Sequence, residues 1–138
     1  MPEVTEFSLH SQLAADTFEV GTFTLSRVLL MNDSNYPWLI LVPARAGVRE
    51  MHELAEADQQ QLMYEITHTS KALEALTGAD KMNVAALGNM VPQLHVHIIA
   101  RFKADPAWPG PVWGKVPSVP YSDLEAPKVC GNLREALL

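Results

Sequence analysis

Pro92-Gln93-Leu94-His95-Val96-His97-Ile98-Ile99 holds the densest chemical signal in the chain, and its alternation organises what surrounds it. Side chains on a strand alternate with period two, so Gln93, His95, His97 and Ile99 share one face while Leu94, Val96 and Ile98 share the other. The apolar face predicts packing on a helix, with the imidazoles looking into a groove or solvent. This strand is expected from Leu94 to Phe102. A second, Met82 to Leu87, precedes it, and Gly88-Asn89-Met90-Val91-Pro92 between them makes a hairpin the economical reading.

Upstream the periodicity changes. From Ala57 to Thr77, Leu62, Ile66, Leu73 and Leu76 fall on one helix face, polar formers Asp58 to Gln61 open the segment, and Gly78 stands where a left-handed cap is needed. Earlier still, Thr22 to Met31 predicts a strand, Asn32-Asp33-Ser34-Asn35 a turn, and the wholly apolar Trp38 to Val42, stopped by Pro43, a strand buried on both faces. Beyond Phe102, Pro106, Pro109, Pro111, Pro117 and Pro120 forbid regular structure, and Pro127 to Leu138 predicts a short helix weakened by Gly131.

The 138 residues are expected to form a single domain, 1–138, with a core of about 22–102 and a Pro-rich tail of about 103–138. Hydrophobic residues make up 48% and charged ones 19%, which excludes disorder. A net charge of −6, with Lys and Arg scattered singly, disfavours a long nucleic-acid partner. The lone Cys130 fits a reducing compartment. Acidic residues near the N-terminus and the lack of any apolar run near roughly 18 residues disfavour a secretory leader and a membrane span, so a cytoplasmic protein is expected.

An arbitrary His-x-His pair is by default tolerated on a wet sheet face. Its sharper uses are a metal site or nucleophilic catalysis. Two histidines at this spacing can chelate, but a complete site needs further ligands, and His10, His52, His68 and the acids show no motif spacing toward the pair.

The run from Gln93 to Ile99 resembles the histidine-triad (HIT) signature, three histidines alternating with apolar residues, with glutamine at the first histidine position. The likeness extends from about Thr22 to Arg101 in the order of strands, long helix and motif strand. It implies an α+β fold, an antiparallel sheet of about five strands with one long helix and a short C-terminal helix, that pairs as a homodimer. It also implies a nucleotide or dinucleotide substrate and no cofactor. His95, the middle residue, would attack the α-phosphorus of a nucleoside ester, anhydride or phosphoramidate, forming a nucleotidyl-imidazole that water or another acceptor resolves. His97 and Gln93 would face the phosphate. Glutamine donates through its amide but transfers no proton, which puts leaving-group preference in question. Met31-Asn32-Asp33 sits where the family holds the ribose diol, and Gly88-Asn89 where an amide meets the phosphate.

Each of these has a plainer reading. Asn32, Asp33 and Asn89 are ordinary turn residues. Asn83 shares a strand face with Ala85 and reaches either a ligand or the neighbouring strand. Trp108 and Trp113 pack the tail or close the pocket, His52 caps or is solvated, His68 is a surface residue, and Arg101 and Lys103 stay at the solvated strand end. The functional expectation is a nucleotide-phosphate hydrolase or nucleotidyl transferase. Its rivals are a catalytically weak nucleotide-binding protein and a His-x-His metal protein.

Overall fold

A computed structural model describes residues 6–138. Chain order gives α1 (Ser11–Asp16), β1 (Thr17–Thr22), β2 (Ser26–Met31), β3 (Trp38–Pro43), a 3-10 turn at Met51–Glu53, α2 (Glu56–Thr77), β4 (Lys81–Ala85), β5 (Val96–Arg101) and α3 (Glu125–Leu137). The strands form one antiparallel sheet in the order β1-β2-β3-β5-β4. No helix among the described residues is long and apolar enough to cross a membrane.

The alternation of β5 separates two cores. Val96, Ile98 and Ala100 face α2 and α3 with Leu62, Ile66, Leu73, Cys130, Leu133 and Leu137. Ile99 faces the other side with Trp38, Ile40, Val42, Tyr36 and Val112. Gly78 closes α2 at φ 69°, the left-handed conformation a residue without Cβ adopts at no steric cost. Leu76, expected on the buried face, is exposed, at the margin of the apolar stripe in the last turn of the helix.

Several boundaries differ from expectation. The strand foreseen over Thr22–Met31 is two strands, broken at Phe23–Leu25. Its turn is pinned by the buried carboxylate of Glu65 on α2, which accepts the backbone N–H groups of Leu25 and Ser26 at 2.9 and 3.0 Å. The sheet therefore begins at Thr17, ahead of the expected core. The tail is no appendage: α3 fills the first core, and Arg134 donates to the Val20 carbonyl of β1 at 2.6 Å. Gly131 does not break α3. β3 lies between β2 and β5, buried on both faces as its composition predicts, which removes it as an edge for a second chain.

Arg101 is the largest reversal. Placed by expectation at a solvated end, it is 2% exposed. Its guanidinium forms a fork with Asp105 at 2.8 and 3.0 Å, and also donates to Asn83 Oδ1 and the Gly110 carbonyl at 2.8 Å each. Tyr36 and Trp108 stack near it. Asp105 in turn accepts the N–H groups of Phe102, Ala107 and Trp108, so one ion pair folds the start of the Pro-rich segment back onto the sheet. His68 is likewise no plain surface residue: its Nε2 donates to the Leu137 carbonyl at 2.9 Å.

Candidate active site

β5 starts only at Val96, so strand alternation orients His97, Ile99 and Arg101 but leaves His95 and Gln93 in irregular backbone. The Leu94 N–H holds that approach by donating to the Val48 carbonyl at 3.0 Å. Neither histidine is wet: His95 and His97 are 5% and 4% exposed. Their rings meet edge to face at 4.9 Å, and Trp113 from the Pro-rich tail and Trp38 from β3 stand 5.0 and 5.7 Å from His97.

Two contacts determine where the ring protons are. His95 Nδ1 lies 2.7 Å from the Gln93 carbonyl oxygen, which only accepts, so Nδ1 carries a proton and the neutral ring keeps its free lone pair on Nε2. At His97 the sense is opposite. The Trp38 indole N–H donates to His97 Nδ1 at 3.0 Å, so the proton of that ring is on Nε2. Burial, then the neighbouring His95, pull the His97 pKa down to about 4 against the Leu87 carbonyl, and the ring is neutral at pH 7.

The Gln93 side chain is engaged away from the histidines. Its Oε1 accepts the His10 N–H at 2.8 Å and its Nε2 donates to the Ser8 carbonyl at 2.9 Å, clamping the N-terminal segment against the motif. This differs from the open, phosphate-facing amide expected, since the segment before α1 lies over it.

Of two cavities near the motif, one is lined by His95 and neither by His97. One, about 330 Å³, is lined by His95, Gln93, Gly88, Asn89 and Arg49. A Cβ on Gly88 would meet the Val91 carbonyl oxygen at 2.9 Å, so glycine is what lets the β4–β5 connection turn back here. The other, about 430 Å³, is lined by Asp16, Asn32, Asp33, Trp38 and Trp113. Asn32 and Asp33 are partly occupied there: Asn32 Oδ1 accepts the Tyr121 N–H at 2.8 Å, and Asp33 Oδ1 accepts those of Asn35 and Val119 at 3.0 and 3.2 Å. They fasten the tail as a strap. Asn83 lies on the site face of β4, its oxygen held by Arg101 in the cross-strand alternative foreseen for it. Among the described residues no three His, Cys, Asp or Glu side chains converge as a metal site.

Sequence reasoning missed Trp38 and Arg49 at the site. Trp38 opens an apolar run and reads as core; only the register placing it opposite Ile99 brings its indole to His97. Arg49 carries no pattern at all.

The HIT domain profile matches residues 12–104. The chain belongs to the HIT domain family. Solved histidine triad proteins agree closely. One from Bradyrhizobium japonicum is 48% identical, covers 97% of this chain and 100% of its own, and superposes with a TM-score of 0.94. One from Marinobacter aquaeolei VT8 is 53% identical over 96% and 97%, also at 0.94. One from Sinorhizobium meliloti 1021 is 45% identical over 95% and 97%, at 0.92. No curated protein matches the chain. HIT proteins generally act on nucleotides, and this HIT chain has the five-stranded antiparallel α+β architecture that its sequence led us to expect.

Proposed function

We propose that this HIT protein is a nucleotide-phosphate hydrolase or nucleotidyl transferase with His95 as nucleophile and Gln93 at the first triad position. One observation carries the reading: the Gln93 carbonyl holds the Nδ1 proton of His95 and leaves Nε2 unprotonated on a ring that lines a polar cavity. Nε2 attacks the α-phosphorus, the P–Nε2 bond forms, and the bond to the leaving group breaks with its electron pair departing on that group. Water or another acceptor then attacks phosphorus, and the P–Nε2 electron pair returns to His95.

The other residues divide between the two cavities. Arg49, Gly88 and Asn89 suit anionic phosphate oxygens, while Asn32 and Asp33, in a cavity lined by no Lys or Arg, suit a ribose diol. On substrate binding His97 turns its one N–H, on Nε2, from the Leu87 carbonyl to a phosphate oxygen. Asn83 keeps its amide N–H groups for a ligand, its oxygen being taken. Gln93 orients His95 through its backbone carbonyl, while its side chain clamps the segment around Ser8 and His10.

The single domain pairs with a second copy. With β3 interior, the edge strands are β1, whose Glu19 and Val20 carbonyls accept Arg134 of α3, and β4, which is the edge left for pairing. The free, buried thiol of Cys130 suits a reducing compartment, and we place the protein in the cytoplasm. Sedimentation at micromolar concentration should give twice the monomer mass; a strict monomer contradicts pairing.

Incubation with a panel of adenylated and guanylated phosphoanhydrides and phosphoramidates, with and without a chelator, tests the function. Chelator-independent turnover through an acid-labile nucleotidyl adduct on His95 supports it. Binding without turnover supports the nucleotide-binding rival, and loss of activity with a bound metal supports the metal rival.

A further inference from the structure

Trp38 belongs to no motif, yet its N–H is the one polar group given to His97 Nδ1. We propose that Trp38 is a positioning residue that locks His97 as a neutral Nε2–H donor, so that no motif side chain protonates a leaving group and substrates whose leaving group departs as a stable anion are selected. This rests on the nucleotidyl-transfer reading above.

The lock follows from bonding capacity. An indole nitrogen only donates, so an imidazole in contact with it must present a lone pair at Nδ1 and can hold its one proton only at Nε2. Imidazolium, with N–H at both nitrogens, would set two donors head to head at 3.0 Å in a buried place. The surroundings supply nothing to offset that. Ile40 on β3 and Ala85 on β4 flank His97 in register, Trp38 and Trp113 face its ring, and the Leu87 carbonyl accepts; none of these titrates. The titratable group facing it is His95, and the positive charge that its ring gains once Nε2 bonds to phosphorus would repel a second one on His97. Burial acts in the same direction, and the lowered His97 pKa agrees.

The remaining motif residues supply no acid either. Gln93 has no transferable proton, and its amide is bound to Ser8 and His10. The Nδ1–H of His95 is held by a carbonyl while its Nε2 bonds to phosphorus. The leaving atom therefore departs with the electron pair of its broken bond and gains no proton from the motif. A phosphate oxygen does so readily at neutral pH, whereas an alkylamine nitrogen must first be protonated. In the second step water attacks phosphorus, the P–Nε2 pair returns to His95 as neutral imidazole, and the water proton passes to solvent. The selected class is the phosphoanhydride over the phosphoramidate.

The test is long-range proton–nitrogen correlation on the His97 ring, from about pH 5 to about pH 8, beside steady-state kinetics. The wild type should show Nε2 protonated and Nδ1 bare throughout. It should cleave a diadenosine polyphosphate with kcat/KM about 10²-fold or more above that for an adenosine 5′-phosphoramidate of an alkylamine, the usual worth of a general acid. Trp38→Phe should let the proton distribute over both nitrogens and lower kcat by about tenfold with KM little changed. A protonated Nδ1 in the wild type, comparable turnover of both substrates, or an unchanged spectrum and kcat in Trp38→Phe each overturn the proposal. If circular dichroism shows that Trp38→Phe does not fold, the wild-type spectrum and substrate ratio decide. A protein that turns over neither substrate overturns the nucleotidyl-transfer reading and the leaving-group selection with it, and the His97 spectrum then supports or overturns the lock by itself.

Discussion

The Gln93 carbonyl accepts the Nδ1 proton of His95 at 2.7 Å, so one residue of the motif sets the tautomer of the histidine two positions on. The contact is internal to the chain's own backbone and does not depend on which side chain stands at 93. That explains how a glutamine there is compatible with the role proposed for His95.

His95→Ala removes the proposed nucleophile and should lower turnover by about 10³-fold or more, leaving positioning and electrostatic help. His97→Ala should cost less. Single-turnover kinetics with mass-spectrometric mapping checks both. An adduct on His97 would reverse the assignment of roles while keeping the reaction class.

Gln93→Ala should free the segment around Ser8 and His10 and cost about 1–2 kcal/mol, the net worth of two hydrogen bonds. Urea unfolding gives the cost, and faster amide exchange at His10 reports the release. Gln93→His should keep the sheet but lose the same protection. Unchanged exchange at His10 in both variants would refute the clamp.

Stability should fall as pH drops from 6.5 toward about 4, because the unfolded chain binds a proton at His97 that the buried ring refuses. The stabilisation is complete above the unfolded pKa and is lost toward the folded one, with a slope of at most about 1.4 kcal/mol per pH unit. His97→Gln should flatten that slope. Denaturation midpoints measured across the window check it.

Asp105→Asn leaves the Arg101 guanidinium buried with a neutral partner and should destabilise the protein by about 3–5 kcal/mol. Burial pushes the Asp105 carboxyl up, but the Arg101 guanidinium and the Phe102 and Ala107 N–H groups bring it down to about 2. The pair's contribution is therefore fully present above about pH 4 and lost as pH falls through about 2. Acid titration of the wild type against the variant measures the difference.

His95 and His97 should retain no stoichiometric transition metal after purification, since Nδ1 of each is hydrogen-bonded and no third ligand converges among the described residues. Elemental analysis checks this. One equivalent of zinc lost together with activity on chelation would overturn the nucleophile assignment.

The sequence by itself determined the elements whose signal is local. Helix α2 and its Gly78 cap follow from 3.6-residue periodicity and a left-handed terminus, β3 from an unbroken apolar run, and the β4–β5 hairpin from a glycine turn between apolar segments. Pairing of His95 and His97 as a chemical unit was legible for the same reason: both are written within one short run. What only the tertiary structure decided is everything whose partner is distant in the chain. The turn that splits β1 from β2 depends on Glu65, and burial of Arg101 depends on Asp105, Asn83 and a returning Pro-rich tail. The His97 tautomer depends on an indole on the neighbouring strand, whereas that of His95 is set locally by a carbonyl two residues away. A hydrogen bond between strands is set by register, and register is fixed only when both strands bury their apolar faces together, so Trp38 reads as core until the sheet places it against His97.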